Sequence, residues 1–318
     1  MPSRPAGTTS VLGLYLTSVL IWGSTWLVIT FQFGRVPPAV SVVYRFALAS
    51  LVLLVWCRVK GLRLTFTPAE HRWMMLQGVL LFGVNYLAVY LAETQLTSGL
   101  VAVIFSLVVF LNIVGSRIFF RTPIRRSTLL GAVLGVSGIV LVFLPEFTRH
   151  GRSDPTQGIV LGLAGAASAS LGNLVASRNH RRGLPVVQMN AFGMFHGALV
   201  VALFALIAHQ PFGFDGSPRY VISLAYLTFF GSILAFGAFL TLIGRVGADR
   251  AGYVAVAIPL VALLFSALLE GLEWHPSLVI GMLLCLAGNV AVLRRANAAN
   301  RPESGVPRAE TAVGSEPG

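Results

Sequence analysis

"PPAVSVVYRFALASLVLLVW", Pro37 to Trp56, sets one arginine in a run of twenty residues that is otherwise almost wholly apolar. At about 1.5 Å per residue a helix of this length is roughly 30 Å long, the thickness of a bilayer's hydrocarbon core. The prolines at its start suit a first helical turn, where the missing amide costs nothing. The stretch therefore reads as a membrane span that Arg45 enters to a depth of roughly 10 Å.

The rest of the chain agrees. Of its 318 residues 56% are hydrophobic and 11% charged, too little charge to coat a water-soluble globule of this length. A net charge of +12 would suggest nucleic acid as the partner of a soluble protein. Here the charges fall in short bursts between apolar runs, so the partner they point to is the lipid bilayer and not nucleic acid. Cys57 and Cys285 stand far apart inside apolar segments, without metal or redox spacing, and read as packing residues. The N-terminal apolar run resembles a signal peptide but continues to Phe33 without a small-x-small cleavage site, so it reads as a retained helix.

Apolar runs predict ten helices: Val11–Gln32, Pro38–Cys57, Arg72–Ala92, Ser98–Phe119, Ser127–Leu144, Gly158–Ser177, Gln188–Ala208, Arg219–Ile243, Arg250–Leu269 and Ser277–Leu293. With the N-terminus cytoplasmic, 18 of the 23 basic residues fall on the inner side and four, Arg35, Arg149, Arg152 and Arg219, on the outer side. That bias predicts a multi-pass protein with both termini cytoplasmic. "TLLGAVLGVSGIVLVF" (Thr128–Phe143) aligns with "LVIGMLLCLAGNVAVL" (Leu278–Leu293), pairing Gly131 with Gly281 and Gly138 with Gly288. A weaker match joins "WGSTWLV…GRVPPAV" from Trp22 to "LGNLVAS…RGLPVVQ" from Leu171. Two copies of a five-helix unit must enter the membrane in opposite senses, so the pattern predicts an inverted repeat. The expected organisation is a cytoplasmic N-terminus (1–10), two repeats (11–145 and 158–293) and a disordered cytoplasmic tail (294–318).

"IWGSTWLVI", "PP…YRFALA", "NYLAVYLAETQLTSGLVAVIFSLVVFLN" and "LLEGLEWHPSLVIGMLLCLAGNVAVL", taken in this order, resemble the EamA-like branch of the drug/metabolite transporter superfamily over Val11 to Leu293. The resemblance implies an all-α bundle of two inverted five-helix repeats. It also implies a central substrate cavity, alternating access and export of amino acids or other small metabolites from a bacterial inner membrane. "FFRTPIRR" departs from the family by placing Arg121 where many relatives carry glutamate, which puts any role of that acid in doubt here.

No hydrolase, zinc, Walker-type or diphosphate motif occurs, and no carboxylate lies in the middle of a predicted helix, which argues against an enzyme and against a resident cofactor or metal. Intramembrane polar residues point by default to the bundle interior. The candidate substrate-binding residues are Arg45, Trp22, Asn85, Tyr86, Tyr90 and Tyr226. The arginine offers a planar fork of donors to a carboxylate, and the aromatics offer walls with one polar atom each. Arg45 has two candidate partners, a substrate carboxylate or Glu93. Candidates for coupling or gating are Glu93, His196 and Pro259; the proline removes the bond back to Ala255 and predicts a kink. A non-transporting scaffold or receptor-like protein remains the alternative, and the oligomeric state, monomer included, stays open.

Overall fold

The computed structural model describes residues 10–121, 126–148, 155–246 and 253–299. Of the N-terminus expected over 1–10, residues 1–9 lie outside them, as do residues 300–318 of the disordered tail expected over 294–318, whose residues 294–299 instead continue the last helix. The described residues are helical, with no strand. They form α1 (Val11–Thr30), α2 (Pro38–Val59), α3 (Pro68–Gly78), π1 (Val79–Val84), α4 (Asn85–Glu93), α5 (Ser98–Phe105) and α6 (Val108–Phe120). There follow α7 (Arg126–Thr148), α8 (Thr156–Arg181), α9 (Val186–Ile207), α10 (Pro218–Tyr226), π2 (Leu227–Leu234), α11 (Ala235–Val246), α12 (Tyr253–Leu269) and α13 (Pro276–Ala299). Seven rods built from these are long and apolar enough to span a membrane, among them Pro38–Val59, Pro68–Glu93 and Ser98–Phe120. The apolar segments Leu129–Leu144, Val254–Leu269 and Pro276–Ala291 are shorter.

Helix starts follow local chemistry. Pro38 opens α2, and Thr67 caps α3 through a reciprocal box with Glu70, with Pro68 in the first turn. Ser217 caps α10 before Pro218 by accepting from the Tyr220 amide, without a reciprocal box, and Asp215 accepts from the Ser217 amide at 2.9 Å, which holds its carboxyl below the usual carboxylate range.

The expected uninterrupted spans differ from the structure in three places. Residues 68–93 and 218–246 each contain a π-helical segment, where Asn85 N–H reaches back to the Leu80 carbonyl and Ala235 N–H to that of Phe230. The rod from Ser98 breaks at Ser106–Leu107, where the Ser106 hydroxyl donates to the Val103 carbonyl at 2.7 Å. Apolar periodicity measures length and hydrophobicity, and it is blind to a register shift of one residue in the backbone ladder.

Lipid removes the hydrophobic drive between helices, so close packing of small residues must hold the rods together. α7 and α13 meet at glycine. A β-carbon built on Gly138 would stand 2.5 Å from the Gly281 carbonyl oxygen, one on Gly281 2.5 Å from that of Gly138, and one on Gly288 2.6 Å from that of Gly131. α9 lies against π1 in the same way, with Gly193 on Gly78 and Gly197 on Gly78, Phe82 and Gly83. Large apolar side chains such as Leu130, Val133 and Val140 stay exposed, the surface that hydrocarbon covers.

Gly281→Leu sets a side chain into the α7 backbone, and overpacking of this kind costs about 1–3 kcal/mol or more. We expect a lower thermal midpoint and a loss of monodisperse protein on fluorescence-detected size exclusion. The outward-facing Val140→Leu should change neither.

Candidate functional site

α2 carries Arg45 into the seam between the N-terminal and C-terminal halves, where its side chain meets π2. The residue is 1% exposed. Its Nε donates to Ser232 Oγ at 3.2 Å, and Ser232 in turn donates to the Leu227 carbonyl five residues back at 2.9 Å. The guanidinium carbon lies 4.7 Å from the Tyr86 ring centroid and 5.2 Å from that of Phe46. These faces offer a cation the negative side of the ring quadrupole. Tyr90 lies beside it and donates its phenol to Gln32 Oε1 at 2.8 Å. Among the described residues Nη1 has no partner within hydrogen-bond geometry.

Around this cation π2 supplies space and backbone. A β-carbon on Gly231 would stand 3.3 Å from Arg45 Nη2, so the glycine leaves room for the fork. The Gly231 carbonyl accepts from Trp22 Nε1 at 3.1 Å, and the indole packs on Phe236 and Phe239 at 5.0 and 5.2 Å. Ser24 and the Tyr226 hydroxyl share a hydrogen bond of 2.7 Å. Trp22, Arg45, Tyr86, Tyr90 and Tyr226, proposed from sequence as one site, thus gather along α1, α2, α4 and the α10–π2 rod. The set combines one buried cation with aromatic faces in a low-dielectric seam, the kind of chemistry that can hold an anion.

A match across this same framework gives the family. The model of the EamA-like transporter family fits residues 9–144 and, a second time, residues 156–294. The chain belongs to the EamA-like transporter family. It is a membrane transporter. The uncharacterized inner membrane transporter YedA of Escherichia coli K12 is 29% identical over 272 residues, 83% of this chain and 86% of that protein. Protein PagO of Salmonella typhimurium is 23% identical over 298 residues, 90% of this chain and 96% of its own. A crystal structure 18% identical in sequence superposes with a TM-score of 0.66, covering 92% of this chain and 99% of the other, which shows a shared fold.

Within this EamA-like framework the ion pair weighed for Arg45 is not formed: no salt bridge joins it to Glu93, whose two carboxylate oxygens have no hydrogen-bond partner. The physical reason is placement, since Arg45 turns its Nε toward π2 while Glu93 ends α4. Asn85 is separate too; its Nδ2 donates to the Leu81 carbonyl at 3.0 Å, inside its own rod. His196 is half-buried on α9, its ring 6.3 Å from that of His71 and 5.4 Å from that of Phe195. Pro259 is buried within α12 and lines a small cavity with Ser106, Cys285 and Asn289.

Sequence reading missed Ser232, Gln32 and the pair Ser41 and Tyr220, whose hydroxyls lie 3.0 Å apart across the halves. A Gly-Ser step inside an apolar run, as in "FFGSIL", was the signal available for Ser232. Ser232→Ala removes the hydroxyl that accepts from Arg45 Nε, and an orphaned buried donor costs about 1–3 kcal/mol, more when charged. A lower thermal midpoint is the expected result, largely recovered in Ser232→Thr if its hydroxyl keeps the same bond.

Proposed function

We propose that the protein is a secondary transporter that exports small organic metabolites bearing a carboxylate, amino acids or related compounds, by alternating access between two inverted five-helix repeats. The observation that carries the proposal is Arg45, a cation 1% exposed in the seam between halves, with Nη1 unmatched by any protein acceptor. A buried charge is expensive unless paired, and a carboxylate is the anion that the guanidinium fork fits best. Ser232 and the Tyr86 ring hold the group in place from two sides and leave Nη1 to a ligand.

Inversion is supported by the α7–α13 seam. Gly131 aligns with Gly281 and Gly138 with Gly288, yet Gly138 meets Gly281 and Gly288 meets Gly131. That reciprocal exchange is the pattern a two-fold relation produces. Further support comes from the capped starts Thr67-Pro68 and Ser217-Pro218, each opening a rod with a π segment, and from the double family match. Seven long apolar spans and three shorter apolar helices support ten crossings, and the charge bias supports cytoplasmic termini. The inner-membrane name of YedA supports the same location here.

Polar links tie the halves at both ends of the bundle, as alternating access requires of two gates. At one end Arg35 meets Asp215 at 3.7 Å, Tyr44 donates to the Gly213 carbonyl at 3.0 Å, and Glu270 accepts from Ser98. At the other, Asn179 donates to Gln77 Oε1 at 3.0 Å and Gln77 approaches Asn190 at 3.4 Å. Opening either end breaks its own set and leaves the other intact.

A screen of amino acids and organic acids in cells lacking, then overproducing, the protein should yield a carboxylate whose efflux rises with expression. In proteoliposomes Arg45→Gln should lower its transport more than about tenfold, equivalent to losing about 1.4 kcal/mol. Arg45→Lys should retain part of it, and the corresponding amide of the substrate should not be carried. Full transport by folded Arg45→Gln overturns the assignment.

A further inference from the structure

Glu93 ends α4 with 5% of its surface exposed, and neither carboxylate oxygen accepts a hydrogen bond from the protein. The charges that reach it are of opposite sign: Arg45 from α2, without a direct contact, and Glu270 from the end of α12. Tyr90 faces it from its own helix, and Gln32 of α1, bound to that phenol, is uncharged. α8 approaches with Gly158, against Gln95 and Leu96, and α5 begins with Thr97 and Ser98; neither brings a titratable group.

Glu270 is already engaged. Its oxygens accept from the Ser98 amide, both at 3.2 Å, and from the Ser98 hydroxyl, at the positive end of the α5 dipole. This contact fastens α12 of one half to α5 of the other. Glu93 therefore lies buried within electrostatic reach of a second carboxyl that is already engaged, with no donor of its own among the described residues. A carboxylate anion so placed forfeits its hydration without replacement, whereas the neutral acid forfeits one hydrogen bond.

We propose that Glu93 is a proton-binding site of the transport cycle, loaded while the Ser98–Glu270 latch is closed and emptied when the latch opens. Opening admits water to the carboxyl; its O–H bond breaks, the proton passes to water as hydronium, and the electron pair stays on the carboxylate. The anion is then hydrated and faces Arg45 across water. Closing reverses the step, since the anion must take a proton back before it is buried again. The site exchanges one proton per opening, and its coupling to a substrate rests on the transport function proposed above.

Infrared difference spectroscopy on the lipid-reconstituted protein tests the site without any substrate. A protonated-carboxyl stretch at neutral pH should be present in the wild type, absent in Glu93→Gln and retained in Glu270→Gln. No such band in the wild type, or its survival in Glu93→Gln, overturns the proton site whatever the transport data show. In proteoliposomes with a trapped pH dye, substrate flux in the wild type should change by up to about tenfold per pH unit, the limit for one proton. Glu93→Gln, isosteric with the neutral acid and checked by its thermal midpoint, should respond by less than about twofold. Equal pH responses in the two proteins overturn the coupling. A wild-type band that vanishes in Glu93→Gln, together with unimpaired transport by Arg45→Gln, leaves the proton site standing and removes the carboxylate-binding role of Arg45 alone.

Discussion

A guanidinium held out of water must be matched donor by donor, and much of the interior is arranged around that demand at Arg45. Snorkelling is the usual escape for an arginine roughly 10 Å inside a span. Here it is not taken, because the side chain is 1% exposed and its Nε is fixed to Ser232. Two aromatic faces meet the rest of the charge, and a neighbouring glycine makes the room. Among the described residues no carboxylate closes on it.

The π segments explain how an apolar rod builds such a site. Each adds a residue to one turn, which shifts the side chains that follow and releases the local carbonyl register. In π2 the Gly231 carbonyl is taken by Trp22, and the Ser232 hydroxyl closes back on Leu227 and meets Arg45. Two adjacent residues thereby serve three rods. Irregular backbone survives in a membrane only where protein or a polar cavity satisfies it, and the Trp22 and Arg45 contacts are that satisfaction.

Sequence reading recovered what hydropathy and small-residue spacing encode. Pro38 and Pro218 mark helix starts within a residue, and the glycines of "GAVLGVSG" and "GMLLCLAG" do form a helix seam. Arg45, Tyr86 and Tyr90 were legible because polar groups in lipid are rare enough to stand out. Partner identity was not. Glu93 is the nearest acid by position along neighbouring spans, yet the group that meets Arg45 is a serine 187 residues away, chosen by the rotation of π2. No periodicity in either segment carries that rotation.

Under the inverted-repeat reading, Pro37 and Pro185 open equivalent helices, and the register that pairs them sets Arg45 opposite Gly193. Their surroundings correspond as well, α2 lying on π2 and α9 on π1. The two seams are filled in opposite ways. Gly193 lets the α9 backbone press on Gly78 of α3 next to π1, leaving no space for a ligand. Arg45 instead fills the seam between α2 and π2 with a buried side chain bonded at its Nε and without a partner among the described residues at Nη1. On that reading the two equivalent positions are used differently, glycine at one bringing backbone onto backbone and arginine at the other bringing a buried cation. The proton proposed for Glu93 belongs on the arginine side for the same reason, since only there does opening the bundle expose a charge that needs an answer.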